Sequence, residues 1–154
     1  MLLSLNCCSD LKCKMNDYFY ELAQRAVEVA VSKGMSNIDP SWIYSQWIHE
    51  SDSFTSQLAI ENHNLGGLTQ ETPNDSPQPD GTYYYINFDS YESYADYFGR
   101  YLHYFIDGGV DKATTLEEYI TALKNSPSGA YFGDSLENYV TDCQRIHTEN
   151  FGGL

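Results

Sequence analysis

Positive charge is scarce in this 154-residue chain: eight lysines and arginines stand against 22 aspartates and glutamates, for a formal net charge of −14. A surface this acidic repels phosphate backbones, so nucleic acid is not an expected partner. Anionic membranes and teichoic-acid-rich walls repel it as well. No run approaches the roughly 18 apolar residues that a membrane span needs, so no membrane insertion is expected. Met1–Leu5 is apolar but too short for a signal-peptide core, and no basic residue precedes it. With no export signal visible, delivery to any extracellular target is expected to come from lysis, from a fusion or from a lost leader. Cysteine is sparse and oddly placed, with Cys7, Cys8 and Cys13 near one end and Cys143 near the other. The Cys8–Cys13 spacing fits no metal pattern, and a Cys13–Cys143 bridge and free thiols both stay open. His49, His63, His103 and His147 do not form a ligand set, so neither a metal nor a cofactor is expected. A glycine-rich phosphate loop and a Ser-His-Asp arrangement are missing too.

What the chain has in quantity is aromatic surface, at 15% with 14 tyrosines. Tyrosine joins a flat apolar face to a polar tip, which suits sugar binding and core filling alike. The length suits one domain around one core. Residues 1–14 lack periodicity and read as a tail, leaving 15–154 as the domain. Asn16 can cap a helix that runs to about Ser32, where Leu22, Ala23, Ala26, Val27, Ala30 and Val31 recur at helical spacing and Gly34 ends it. Asp39-Pro40 is a strong helix start and opens Ser41–Glu50, with Trp42, Ile43, Trp47 and Ile48 on a broad apolar face. From about Asn62 to Asn87 the composition shifts to turn formers. Asp80-Gly81 followed by Thr82-Tyr83-Tyr84-Tyr85-Ile86 predicts a short β-hairpin. Three further helices are expected behind the pairs Asp89/Glu92, Thr115/Glu118 and Asp134/Glu137, each spaced as a capping box. The expected fold is mainly α, with one small β-rich insertion.

Glu50 lies at the predicted end of the second helix, just before that insertion. The negative end of the helix dipole disfavours its charged form, and Trp47 and Phe54 could desolvate it. A carboxyl that holds its proton near neutral pH is what a glycosidase acid requires. A solvated glutamate at a helix end is the plainer alternative. The surrounding residues weigh against it. Glu50-Ser51-Asp52-Ser53-Phe54-Thr55-Ser56-Gln57-Leu58-Ala59, followed by Asn62-His63-Asn64-Leu65-Gly66-Gly67-Leu68, resembles the signature of the glucosaminidase family, glycoside hydrolase family 73. That pattern reads Glu-Ser-Gly-Trp-Gly, a serine two residues on, Leu-Ala, then Asn-Asn-Leu-Phe-Gly-Ile. Phe88-Asp89-Ser90-Tyr91 with Ser93 and Asp96-Tyr97, then Ala122-Leu123, Gly129-Ala130-Tyr131 and Asn138-Tyr139, resemble its later elements in order. The likeness covers about residues 16–147.

The resemblance implies an α+β lysozyme-like fold, in which a helical lobe and a small β-hairpin lobe enclose a glycan cleft. It implies hydrolysis of the β-1,4 bond after N-acetylglucosamine in peptidoglycan strands, with Glu50 as general acid. Tyr131 is then the cleft tyrosine that helps position the sugar or stabilise the transition state, and Asn64 shapes the cleft floor. Two departures stand out. The family's Gly-Trp is Asp52-Ser53 here, with Phe54 as a substitute for the lost aromatic, and Asp52 would raise the Glu50 pKa further if the two come close. The β-lobe acid is rewritten as well: Glu71 is the first choice for the second catalytic carboxylate, with Asp75 and Asp80 as alternatives, Asp80 also reading as a turn residue. An inverting enzyme needs that carboxylate about 6.5–9.5 Å from the acid; otherwise the substrate's own N-acetyl group can serve as nucleophile. Substrate contacts are expected from Asp52, Phe54, Asn64, Asp80, Tyr84 and Tyr97. A non-cutting glycan-binding domain, a muramidase and a lytic transglycosylase are the rival readings. The acidity and the absent leader suit a module of a larger phage-tail or cell-wall assembly.

Overall fold

The computed structural model describes residues 3–76, 83–127 and 129–152, with side chains from residue 17 onward. Among the described residues, six α-helices and a two-strand sheet follow in order: α1 (Leu3–Ser32), α2 (Pro40–Ser51), α3 (Gln57–Glu61), β1 (Thr69–Gln70), β2 (Tyr84–Tyr85), α4 (Tyr91–Tyr101), α5 (Leu116–Asn125) and α6 (Leu136–Phe151). Two 3-10 segments, Leu102–Gly108 and Val110–Lys112, join α4 to α5. This is the mainly α arrangement with a small hairpin that the sequence predicts. The strands pair antiparallel, Thr69 with Tyr85 and Gln70 with Tyr84.

Helix α2 runs through the middle. Asp39 caps it as expected, its side chain accepting the Ser41 N–H at 2.9 Å, with Pro40 in the first turn, where a missing N–H costs nothing. Because Ile43, Tyr44, Gln46 and Trp47 are all buried, α2 is enclosed on most sides. Helices α1 and α6 pack against it, α4 packs on α1, and α5 on α6. The α1–α4 approach is close: a Cβ on Gly99 would stand 2.4 Å from the Ala26 carbonyl oxygen. Trp47, Tyr94, Phe98, Tyr119 and Tyr139 are the large rings at the centre of the core. Among the described residues no helix is long and apolar enough to cross a membrane.

Some local expectations need correcting. Helix α1 does not start at Asn16 but spans Leu3–Ser32. Residues 3–15 hold neither glycine nor proline, so nothing in them breaks a helix once it is nucleated downstream. Ser90, not Asp89, caps α4, and Ser135, not Asp134, caps α6; each serine has extended backbone and accepts the N–H three residues on. Thr115 caps α5 as predicted. The single-turn helix α3, capped by Ser56, has too short a pattern to be anticipated. The Asp80-Gly81 turn lies outside the described residues.

Candidate active site

Glu50 is the penultimate residue of α2, half-buried, and its Oε1 accepts a hydrogen bond of 2.5 Å from the Tyr139 hydroxyl of α6. Burial pushes the Glu50 pKa up; the Tyr139 bond and the nearby His49 oppose that shift without cancelling it. Its charge is felt in turn by Tyr94, Tyr131 and Tyr139, whose hydroxyls are driven well above the usual range, first by burial and then by neighbouring groups that include Glu50. One carboxyl thus sits among three phenols from three separate segments. The Tyr139 ring is fixed by stacking on Phe132 at 3.9 Å and by the edge of His49 at 4.4 Å. Beside it, Tyr119 donates to buried Gln46 at 2.6 Å, so α2, α5 and α6 are tied by polar bonds next to the acid.

Past Glu50 the chain turns sharply. Asp52, Ser53 and Phe54 have φ of 51, 57 and 66°, a left-handed turn built without glycine. Each such residue costs roughly 1–2 kcal/mol relative to the right-handed form, which explains glycine at two of the three positions in the family pattern. Here Ser51 supports the turn, its hydroxyl donating to the Trp47 carbonyl at 2.6 Å and accepting the Phe54 N–H at 2.8 Å. Phe54 stacks on Phe19 at 4.0 Å and 13°, so its ring is taken up by packing on α1 rather than turned to a substrate. Asp52 is exposed and caps α2 through its backbone; it is not among the groups that shift Glu50, so the expected like-charge repulsion is not present.

The segment that enters the hairpin meets two of these tyrosines. Asn64 is buried and makes three of its four hydrogen bonds: its Nδ2 donates to the carbonyls of Leu68 at 2.9 Å and Ile86 at 3.0 Å, and its Oδ1 accepts the Leu68 N–H at 3.0 Å. It holds the Gly66-Gly67 turn against the hairpin, and both of its N–H donors are taken up within the protein. The Gly66 carbonyl accepts the Tyr131 hydroxyl at 2.8 Å. A Cβ at Gly66 would lie 2.3 Å from that hydroxyl and 2.6 Å from that of Tyr94, so only glycine fits. Tyr84 is half-buried opposite Gln70. Tyr97, also half-buried, stacks with Tyr101 at 6.1 Å and meets Phe88 edge-on at 5.3 Å. Glu71 directly follows β1 and Asp75 lies between the strands, both exposed, while Asp80 is outside the described residues. Among the described residues, no three or more His, Cys, Asp or Glu converge as metal ligands would.

Tyr139 and Gly66 are the site residues that sequence reasoning missed. Tyr139 reads as one more apolar residue on a helix face, and nothing in its spacing points to Glu50. Gly66 could have been found by asking why two glycines follow a buried asparagine.

Residues 26–150 match the family model described as glucosaminidase, mannosyl-glycoprotein endo-beta-N-acetylglucosaminidase. Among solved structures, the catalytic domain of the autolysin Auto from Listeria monocytogenes is similar over 97% of this chain and 94% of that chain, with a TM-score of 0.59 at 15% identity. At that identity the likeness speaks for the fold, the mainly α lysozyme-like one. A search of curated proteins finds no match.

Proposed function

We propose, from the premise that this chain belongs to the glucosaminidase family, that it is a peptidoglycan hydrolase cutting the β-1,4 bond after N-acetylglucosamine, with Glu50 as the general acid. The observation that carries this reading is the half-buried Glu50 carboxyl, its pKa raised by burial and its oxygen fixed by Tyr139. A protonated carboxyl there can give its proton to the leaving glycosidic oxygen as the bond breaks. Tyr139 then stabilises the carboxylate left behind, and Tyr131, anchored on Gly66, positions the sugar ring. Glu71 is the first choice to activate water, with Asp75 and Asp80 as alternatives; the substrate's acetamido oxygen is the internal substitute. Tyr84 and Tyr97 are the remaining candidates for sugar contacts. Membership of a phage-tail or cell-wall assembly belongs to the same proposal: an acidic chain gains from being tethered near an anionic wall rather than diffusing to it.

One observation favours a second reading. The Glu50 carboxyl is half-buried with a raised pKa, while Glu71 and Asp75 are both exposed, and a lytic transglycosylase needs one acid with no water-activating partner. The test covers both. Purified peptidoglycan is digested with the protein and with its Glu50→Gln variant, and the products are read by mass spectrometry. Loss of about 10²–10⁴-fold in rate on substitution supports Glu50 as the acid. A reducing-end N-acetylglucosamine supports the main reading, whereas an anhydro-muramic end would replace it with the second. Equal rates in both proteins would remove Glu50 from the role.

A further inference from the structure

The few cations of this chain are unevenly spread. Lys33, just past α1, and Arg100 on α4 line one groove of about 460 Å³ with His103 and the tyrosines Tyr97, Tyr101 and Tyr104. Among the described residues neither Lys33 nor Arg100 forms an ion pair. Asp96, one helical turn before Arg100, is occupied by Arg25 through bonds of 2.7 and 2.9 Å. The Arg100 guanidinium lies 6.0 Å from the centre of the Tyr97 ring. Tyr104 is 64% exposed, the most of any large apolar side chain described. Unpaired cations beside open aromatic faces suit a ligand that has both a flat, weakly polar face and negative charge.

A second groove adjoins this one on the side of Tyr131. Tyr101 and Tyr104 also line a smaller groove of about 250 Å³ with Phe105, Gly129 and Ala130. Tyr131 comes next in sequence, and its ring lies 6.0 Å from Tyr101. From there the tyrosines continue outward, Tyr101 to Tyr104 at 5.6 Å and Tyr101 to Tyr97 at 6.1 Å. A path of aromatic rings leads from the tyrosine that senses Glu50 to the unpaired cations.

We propose that this strip binds the peptide-bearing part of the glycan strand, with sugar rings over Tyr101 and Tyr104 and the carboxylates of the muramyl peptide stem on Lys33 and Arg100. The proposal rests on the peptidoglycan reading of the site and adds to it a preference for stem-bearing glycan. It also gives an acidic protein a local point of attraction, since charges within about 8–10 Å act at physiological salt while the remoter acidic surface is screened.

The test is a binding measurement in a Glu50→Gln background, so that the ligand survives. Two probes are compared: a peptidoglycan tetrasaccharide carrying two stem peptides, and chitotetraose, which is neutral. The stem-bearing probe should bind more tightly at low salt. Combining Lys33→Gln with Arg100→Gln should weaken it about fivefold, the scale of two exposed charge contacts, and narrow the gap to chitotetraose. Tyr104→Ala should weaken both probes, while Lys112→Gln, the loss of one positive charge away from the groove, should leave that gap unchanged. Stem-bearing probe held as tightly by the double variant as by its parent, or no binding of either probe, overturns the proposal. A wild-type protein that cuts no peptidoglycan yet shows this variant pattern overturns the hydrolase reading and leaves the groove standing.

Discussion

Replacing Gly66 by alanine should separate activity from stability. The added Cβ would stand 2.3 Å from the Tyr131 hydroxyl and 2.6 Å from that of Tyr94, so each ring must withdraw by about 1 Å to reach ordinary contact. Neither has room. Tyr131 is hemmed in by Phe98, Tyr101 and Phe105 at 6.3, 6.0 and 5.8 Å, and Tyr94 by Trp47 and Phe88, both at 5.2 Å. Overpacking of this kind costs about 1–3 kcal/mol, or very roughly 2–12 °C in Tm for a domain of this size. The catalytic cost is larger: Tyr131 must leave its 2.8 Å bond to the Gly66 carbonyl, and misplacing a positioning group by about 1 Å costs about 10²-fold in rate. Gly67→Ala is the control. Gly67 has φ of 66° and its added Cβ meets nothing nearer than 4.0 Å, so alanine there carries a left-handed penalty of about 1–2 kcal/mol without moving a ring. Calorimetry and the initial rate of reducing-end release from peptidoglycan would be measured for both. Comparable losses of Tm with a rate loss confined to Gly66→Ala is the expected result. A Gly66→Ala enzyme within about twofold of the parent rate would refute the role given to Tyr131.

Tyr139→Phe removes the bond that lowers the Glu50 pKa, so the alkaline limb of the pH–rate profile should move to higher pH while the plateau rate falls, up to about 10²-fold; an unmoved limb would sink the assignment. Asn64→Ala deletes three buried hydrogen bonds and should cost about 2–4 kcal/mol in urea unfolding; a loss under about 1 kcal/mol would mean that the turn is held by other groups. For pH and stability the sign follows from the raised Glu50 pKa. Its favourable contribution is complete below the unfolded glutamate value of 4.5 and is lost as pH rises through the folded value. Glu50→Gln should therefore gain Tm relative to wild type as pH rises from 4 toward 8, and a constant difference across that range would contradict the burial of its charge.

The local signals in the sequence were enough to put Glu50 at the end of α2, because the residues that start and bury that helix lie within a dozen positions of it. Asp39-Pro40 starts α2, the apolar face of that helix buries it, and the glutamate falls at its end. The capping choices at Ser90 and Ser135 show how narrow that legibility is. In each case an aspartate and a serine stand side by side, both able to cap, and the choice turns on which residue takes the extended backbone. The left-handed turn at Asp52-Ser53-Phe54 was hidden for a related reason: none of the three residues announces positive φ, and the turn depends on Ser51 bonding and on the Phe54–Phe19 stack, both made after the helices meet.

The site itself is built from contacts of another kind. Tyr139 bonds Glu50 across 89 positions, Tyr119 bonds Gln46 across 73 and Tyr131 bonds Gly66 across 65, whereas the Asn64–Ile86 bond spans 22. Only the last falls within a hairpin whose register a sequence pattern can suggest. A tyrosine on a helix face is equally consistent with core packing, sugar stacking and holding a carboxylate, and it takes on one of these roles when another helix delivers the partner. In this fold the packing of α6 against α2, and of α5 against α6, makes that choice. The same contacts that bury Trp47 and Tyr139 also take water away from Glu50, so the raised proton affinity of the acid follows from the assembly of the core. Changes that loosen α6 against α2 should therefore act on the Glu50 carboxyl even when they touch neither Glu50 nor Tyr139.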